Sequence, residues 1–228
     1  MENNEYREFH NKEYKEGADR AAKYIVNVAN KLFSPKSVID FGCGVGSFLD
    51  KFREFGVQET VGINMYADVK NHEFYKEDLN EEIRLVDKNN NVRKFDLALC
   101  LEVAEHIREE NSEKLVKSLC AHSDIVIFSA AIPGQGGVGH INEQQPFYWG
   151  EIFQKNGFVP FDVMRFLLWE IEDLQYWYKQ NTIPYIKFSI LKDKKELNIM
   201  FFRSLLYKLL TIHPECTSRV DYKLCFYA

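Results

Sequence analysis

The chain has 228 residues, with 29 Lys and Arg against 34 Asp and Glu for a formal charge of −5. An aromatic content of 14 % excludes a largely disordered chain, and the length suits one α/β domain, since these reach about 200–250 residues. The acidic balance argues against a nucleic-acid binder, which normally carries a basic face.

In chain order, residues 18–33 set Ala22, Ile25, Val26, Val28 and Leu32 roughly along one face of a helix, stopped by Ser34-Pro35. Residues 37–41 are a short apolar strand, followed by a glycine-rich turn and a helix over 47–55. Strands are expected at 60–64, 95–101, 124–131, 158–164 and 183–190, with residues 77–79 near the end of a further strand, the third in order. Helices fall between them at 112–120, 145–156 and 169–179. Strands alternating with helices imply βαβ units and a mostly parallel sheet. Residues 1–35 read as an N-terminal helical extension, 36–190 as the core, and 191–228 as a C-terminal extension. The apolar stretch 196–208 either packs back on the sheet or forms a homodimer face. No apolar run approaches the roughly 20 residues of a membrane span, and the polar N-terminus has no signal-peptide core, so a cytoplasmic location is expected. Cys43, Cys100, Cys120, Cys216 and Cys225 form no CxxC pair, so neither a zinc site nor a redox dithiol is indicated.

Ligands of such sheets bind beyond the carboxyl ends of the strands. The unusual residues of this chain cluster there. Asp40-Phe41-Gly42-Cys43-Gly44-Val45-Gly46 joins the first strand to a helix. Its glycines permit a close backbone approach to a ligand, and Asp40 is placed to accept from a ligand ammonium group. A dinucleotide fingerprint would need a third glycine at position 47, where Ser47 stands, which disfavours an NAD-dependent oxidoreductase.

This segment resembles the first motif of class I S-adenosylmethionine-dependent methyltransferases. Val61-Gly62-Ile63-Asn64 resembles the end of that family's second strand, Glu77-Asp78-Leu79 its adenine-contacting acidic stretch, and Glu102-Val103-Ala104-Glu105-His106 the stretch after strand four. The resemblance spans residues 36–190 and implies a Rossmann-like seven-stranded sheet with helices on both faces and an antiparallel last strand. It implies S-adenosylmethionine as cofactor, held by Asp40, Gly42, Cys43, Gly44, Gly46, Asn64, Asp78, Leu79 and Glu102. Where the family carries an acidic residue for the ribose hydroxyls, this chain has Asn64, an uncharged donor and acceptor; Asp68 nearby is a candidate substitute.

Methyl transfer to a hydroxyl needs alignment and a base. His140, in a glycine-rich loop after the fifth strand, is the expected general base, with His106 second; each has a structural alternative, capping of the following helix for His140 and anchoring of the next helix for His106. Asn142, Glu143 and Gln144 would orient the acceptor or fix the turn. This loop with Tyr148, and Trp177-Tyr178 further on, resembles a subgroup associated with carbohydrate and surface-polysaccharide pathways. Trp177 and Tyr178 would stack on a sugar or, equally, pack a helix face into the core. The expected acceptor is a sugar or sugar nucleotide. No metal-binding set is expected, because His140 and Glu143 alone offer too few ligands. The alternatives are a non-catalytic module that keeps the fold as a scaffold, and an N-methyltransferase acting on a small metabolite.

Overall fold

The computed structural model describes residues 2–65 and 71–193, with side chains over residues 15–65 and 71–191. Seven strands form one sheet in the order β3-β2-β1-β4-β5-β7-β6. They are β1 (Ser37–Phe41), β2 (Glu59–Ile63), β3 (Glu73–Tyr75), β4 (Leu97–Leu101), β5 (Ile125–Ser129), β6 (Phe158–Pro160) and β7 (Ile183–Lys187). β1 pairs in parallel with both β2 and β4, and β4 with β5; β7 runs antiparallel to β5 and β6. This is the expected Rossmann-like sheet with an antiparallel last strand.

Helices cover both faces: α1 (Glu2–Phe33), α2 (Ser47–Glu54), α3 (Ser112–His122), α4 (Pro146–Lys155), α5 (Met164–Leu168), α6 (Tyr176–Asn181) and α7 (Phe188–Asp193). β4 shows why. All five of its residues are buried, and they alternate: Leu97, Leu99 and Leu101 enter one core with Ile25, Leu49 and Phe52, while Ala98 and Cys100 enter the other with Leu115, Leu119 and Phe153. A strand apolar on both faces cannot sit at a solvated surface, so it takes the sheet centre. The chain leaves β1 for β2 on one side and reaches β4 on the other. That divergence opens a crevice at the carboxyl ends of β1 and β4.

The third strand is β3 at Glu73–Tyr75, paired with Val61–Ile63 of β2, so residues 77–79 lie just past its end, as expected. Other boundaries differ from expectation. The sixth strand stops at Pro160, and Met164 already begins α5. Of the helix expected over 169–179 only the part from Tyr176 is helical, as α6; residues 169–175 are irregular backbone, in which Leu174 is buried and Asp173 accepts a 3.1 Å hydrogen bond from the Tyr24 hydroxyl. The seventh strand ends at Lys187, opposite Phe158, the first residue of its partner β6. His72 and His122 are structural. His72 bridges Thr60 and Asp50, each at 2.8 Å, and buried His122 accepts from the Leu85 amide at 3.0 Å. Among the described residues no helix is long and apolar enough to cross a membrane. The apolar stretch 196–208, most of the 191–228 extension and Asp68 lie outside the described residues.

Candidate active site

The crevice begins at the β1–α2 turn. Gly42, Gly44 and Gly46 have φ of 84°, 53° and 91°, left-handed values that favour glycine. Space forces the first as well, since a Cβ on Gly42 would strike both methyls of Val103. The Gly42 amide donates to the Ile63 carbonyl at 2.8 Å, which ties the turn to the end of β2. Cys43 is buried beneath Gly62, and burial pushes its thiol well above the usual range, so it is a packing residue.

Asp40 lies under this turn, 2 % exposed, and its Oδ2 has no hydrogen-bond partner. Burial pushes its carboxyl up to about 7. A buried, unpaired carboxylate is costly, and a ligand cation in the crevice would relieve that cost. At the end of β2, the Asn64 side-chain amide donates to the Gly44 carbonyl at 3.3 Å, so it borders the turn as its position requires. Asp78 accepts from the backbone and side chain of Asn80 at 2.9 and 3.0 Å, and these bonds hold its carboxyl below the usual range. Asn80 in turn accepts from the Arg108 amide, which braces this corner against the chain after β4. Leu79 beside it is buried. The unpartnered Oδ2 of Asp40 beneath the glycine turn, and Asn64 bonded to that turn, leave acceptors of the kind that the ammonium and ribose hydroxyls of S-adenosylmethionine would need.

Glu102 ends β4 in the left-handed region, with φ 53°. Its amide donates to both the carbonyl and the hydroxyl of Ser129 at 3.0 Å. Its carboxylate accepts from Gln135 at 3.2 Å and Asn181 at 3.5 Å, and burial raises its pKa. Glu102 therefore ties the end of β4 to β5, to the loop after it and to α6.

That loop is tightly built. The Glu143 carboxylate accepts from the amides of Gly134 and Gly136 at 2.8 Å each and from Nδ1 of His140 at 2.9 Å. The hydrogen bond from His140 is the main cause of its lowered pKa. His140 Nε2 lies 3.9 Å from Glu105, and the His106 and His140 rings meet edge-on with centroids 5.0 Å apart. Glu105 is 1 % exposed; burial first, then the nearby Glu102, raises its carboxyl to about 8. The His106 Nδ1 donates to the Gly139 carbonyl at 3.0 Å, and burial lowers its pKa.

The structure thus brings together both expected histidines and Glu143. It gives other expected residues different positions. Asn142 is 2 % exposed and spans from Ser112 to Gln144, each at 3.0 Å, so it pins the loop to α3. Tyr178 is buried in the core against Phe48, with Trp177 packed at its margin, which matches core packing of the helix face. Tyr148 is half-buried against Trp149. Glu105, Gln135 and Asn181 were not expected at the site. Glu105 had a signal, a charged residue next to His106 just beyond a buried strand.

Residues 6–162 match the family model of the methyltransferase domain. The chain belongs to this family, whose enzymes take the methyl group from S-adenosylmethionine, and that molecule is its cofactor. Among solved structures it is similar to a sugar N-methyltransferase of Streptoalloteichus sp. ATCC 53650, at 12 % identity and TM-score 0.54, over 74 % of this chain and 87 % of that one. It is also similar to an O-methyltransferase family protein of Burkholderia thailandensis, at 9 % identity and TM-score 0.53, over 77 % of this chain and 58 % of that one. These likenesses show the fold. A search of curated protein sequences finds no match.

Proposed function

We propose that this enzyme methylates an oxygen of a small polar acceptor, a sugar or sugar nucleotide of polysaccharide biosynthesis. The observation that carries the reading is the His140–Glu143 pair at the mouth of the crevice, beside the buried Glu105. The bound cofactor supplies an electrophilic methyl group on a sulfonium sulfur. Asp40 would accept from the cofactor's ammonium, the Gly42–Gly46 turn would lie against its amino-acid end, and Asn64 and Asp78 would receive the ribose and adenine. Activation of the acceptor hydroxyl is assigned to the Glu105–His106–His140 group. In the metal-free protein the electron pair open to the hydroxyl proton is that of His140 Nε2, because the Glu143 carboxylate fixes the proton of the ring on Nδ1. The O–CH3 bond forms as the CH3–S bond breaks, the bonding pair stays on sulfur, and the hydroxyl proton goes to the imidazole. Gln144 and Tyr148, both half-buried on this side, are assigned to the acceptor.

A polar acceptor suits a site walled by Gln135, Glu143 and Gln144, because buried donors and acceptors reject ligands that leave them unpaired. The name of the Streptoalloteichus neighbour agrees with a sugar acceptor, though it specifies nitrogen. The test is transfer of a labelled methyl group from S-adenosylmethionine to a panel of sugar nucleotides that includes amino sugars. An O-methylated product is expected, with kcat falling about 10²–10⁴-fold in His140→Ala while S-adenosylhomocysteine binds as before. An N-methylated product, or a His140→Ala enzyme with unchanged kcat, would overturn the reading.

A further inference from the structure

We propose that Glu105, His106 and His140 bind one divalent first-row transition cation, and that this cation holds and acidifies the acceptor hydroxyl; the inference rests on the hydroxyl-acceptor reading of the same site. Three independent features point to it. The first is spacing: one ligand atom from each residue lies within 4.8 Å of the others. Two ligands each about 2.1 Å from an ion lie at most about 4.2 Å apart, and the 3.9 Å from His140 Nε2 to Glu105 Oε1 already meets that bound.

The second is how the two rings are held. Metal-binding histidines generally donate their other ring N–H to a carboxylate or carbonyl. Here His106 Nδ1 faces the Gly139 carbonyl and His140 Nδ1 faces the Glu143 carboxylate. Both partners accept only, so both Nδ1 atoms carry the proton. Each neutral ring then keeps its lone pair on Nε2.

The third is Glu105. It is almost wholly buried, its Oε2 has no hydrogen-bond partner, and among the described residues its ion-pair partner is His140. A carboxylate at that depth calls for a cation. Two imidazoles and one carboxylate suit Mn2+, Fe2+ or Zn2+ better than Mg2+ or Ca2+, which prefer all-oxygen shells.

Three protein ligands leave positions open for the acceptor. The hydroxyl oxygen donates a lone pair to the cation, and the O–H proton leaves to bulk water. The resulting alkoxide attacks the methyl carbon, the O–CH3 bond forms, and the CH3–S pair stays on sulfur. His140 Nε2 is then a ligand, with its electron pair on the cation rather than on the hydroxyl proton. Glu143 is a positioning residue that acts through His140.

The test uses full-length protein stripped with a chelator, saturated with S-adenosylhomocysteine and titrated with Mn(II), with the free ion read by its paramagnetic resonance. One Mn(II) per chain is expected. Its affinity should drop at least about tenfold in His106→Ala, where the exposed side of the cluster is altered, and also in Glu143→Gln. Zn(II) should displace it. No uptake of Mn(II) or Zn(II) by wild-type protein, or equal uptake by His106→Ala, overturns the proposal. The labelled-methyl panel tests the acceptor reading separately: a failed Mn(II) titration beside an O-methylated product removes the cation and leaves His140 as the base.

Discussion

Gly137 lies directly against the His140 ring: a Cβ on residue 137 would overlap Nε2, Cε1 and Cδ2 of the imidazole. Gly137 is exposed, and its backbone is outside the left-handed region. Its lack of a side chain therefore serves the ring rather than the turn.

Gly137→Ala should accordingly separate activity from stability. The histidine must shift while the fold is untouched, so unfolding free energy should change by no more than about 0.5 kcal/mol. A catalytic group displaced by about 1 Å can cost on the order of 100-fold in rate. Steady-state kinetics beside urea unfolding checks both. A variant that unfolds without losing kcat per folded molecule would show that the contact is structural only.

Gly42→Ala should behave in the opposite way. The left-handed backbone costs about 1–2 kcal/mol for a residue with a Cβ, and overpacking against Val103 adds about 1–3 kcal/mol. A loss of about 2–5 kcal/mol in urea unfolding is expected, together with loss of S-adenosylhomocysteine binding. Adding Val103→Ala should recover the packing part but not the backbone part, so the two substitutions will not be additive.

Asp40 predicts two opposed pH dependences. Its carboxyl titrates near 7 in the folded chain, against 3.8 for the free group. Ligand ammonium binds the ionised form, so S-adenosylhomocysteine affinity should rise about tenfold per pH unit below 7 and level off just above it. Stability runs the other way. A folded-state pKa above the unfolded one gives stability that is complete below pH 3.8 and is lost as pH rises through 7. Asp40→Asn should match the wild type near pH 4 and exceed it by about 4 kcal/mol at pH 8, while its ligand affinity is weak and flat with pH. Calorimetry and denaturant melts across pH 4–8 measure both.

The parts of this fold legible in the sequence were those where one local pattern decides the structure. The apolar runs of β1, β4 and β5 cannot be anything but central strands, and the glycines at 42, 44 and 46 mark a turn at the crevice. The misplaced pieces depend on partners distant in sequence. The irregular backbone at 169–175, where a helix was expected, accompanies burial of Leu174 and the contact of Asp173 with Tyr24. The same holds within the site. Asp40 and His140 stand out at strand ends, but the grouping of Glu105 and His106 with His140 exists only once the carboxyl ends of β4 and β5 lie side by side. For Asn142 the sequence leaves acceptor contact and turn-fixing both open, because exposure cannot be read from residue type; in the fold its amide ties the loop to Ser112.

The main-chain carbonyl of Glu105 accepts from the amides of both Ile141 and Asn142, at 2.9 and 3.0 Å. One residue thus supplies the buried carboxylate and also moors the segment that carries His140. Fastened at that one oxygen, the segment holds the imidazole 3.9 Å from the carboxylate, while Val138 on the outer rim is 88 % exposed. The entropy of bringing the reactive groups together is spent when the chain folds, and an arriving substrate meets a constellation already assembled.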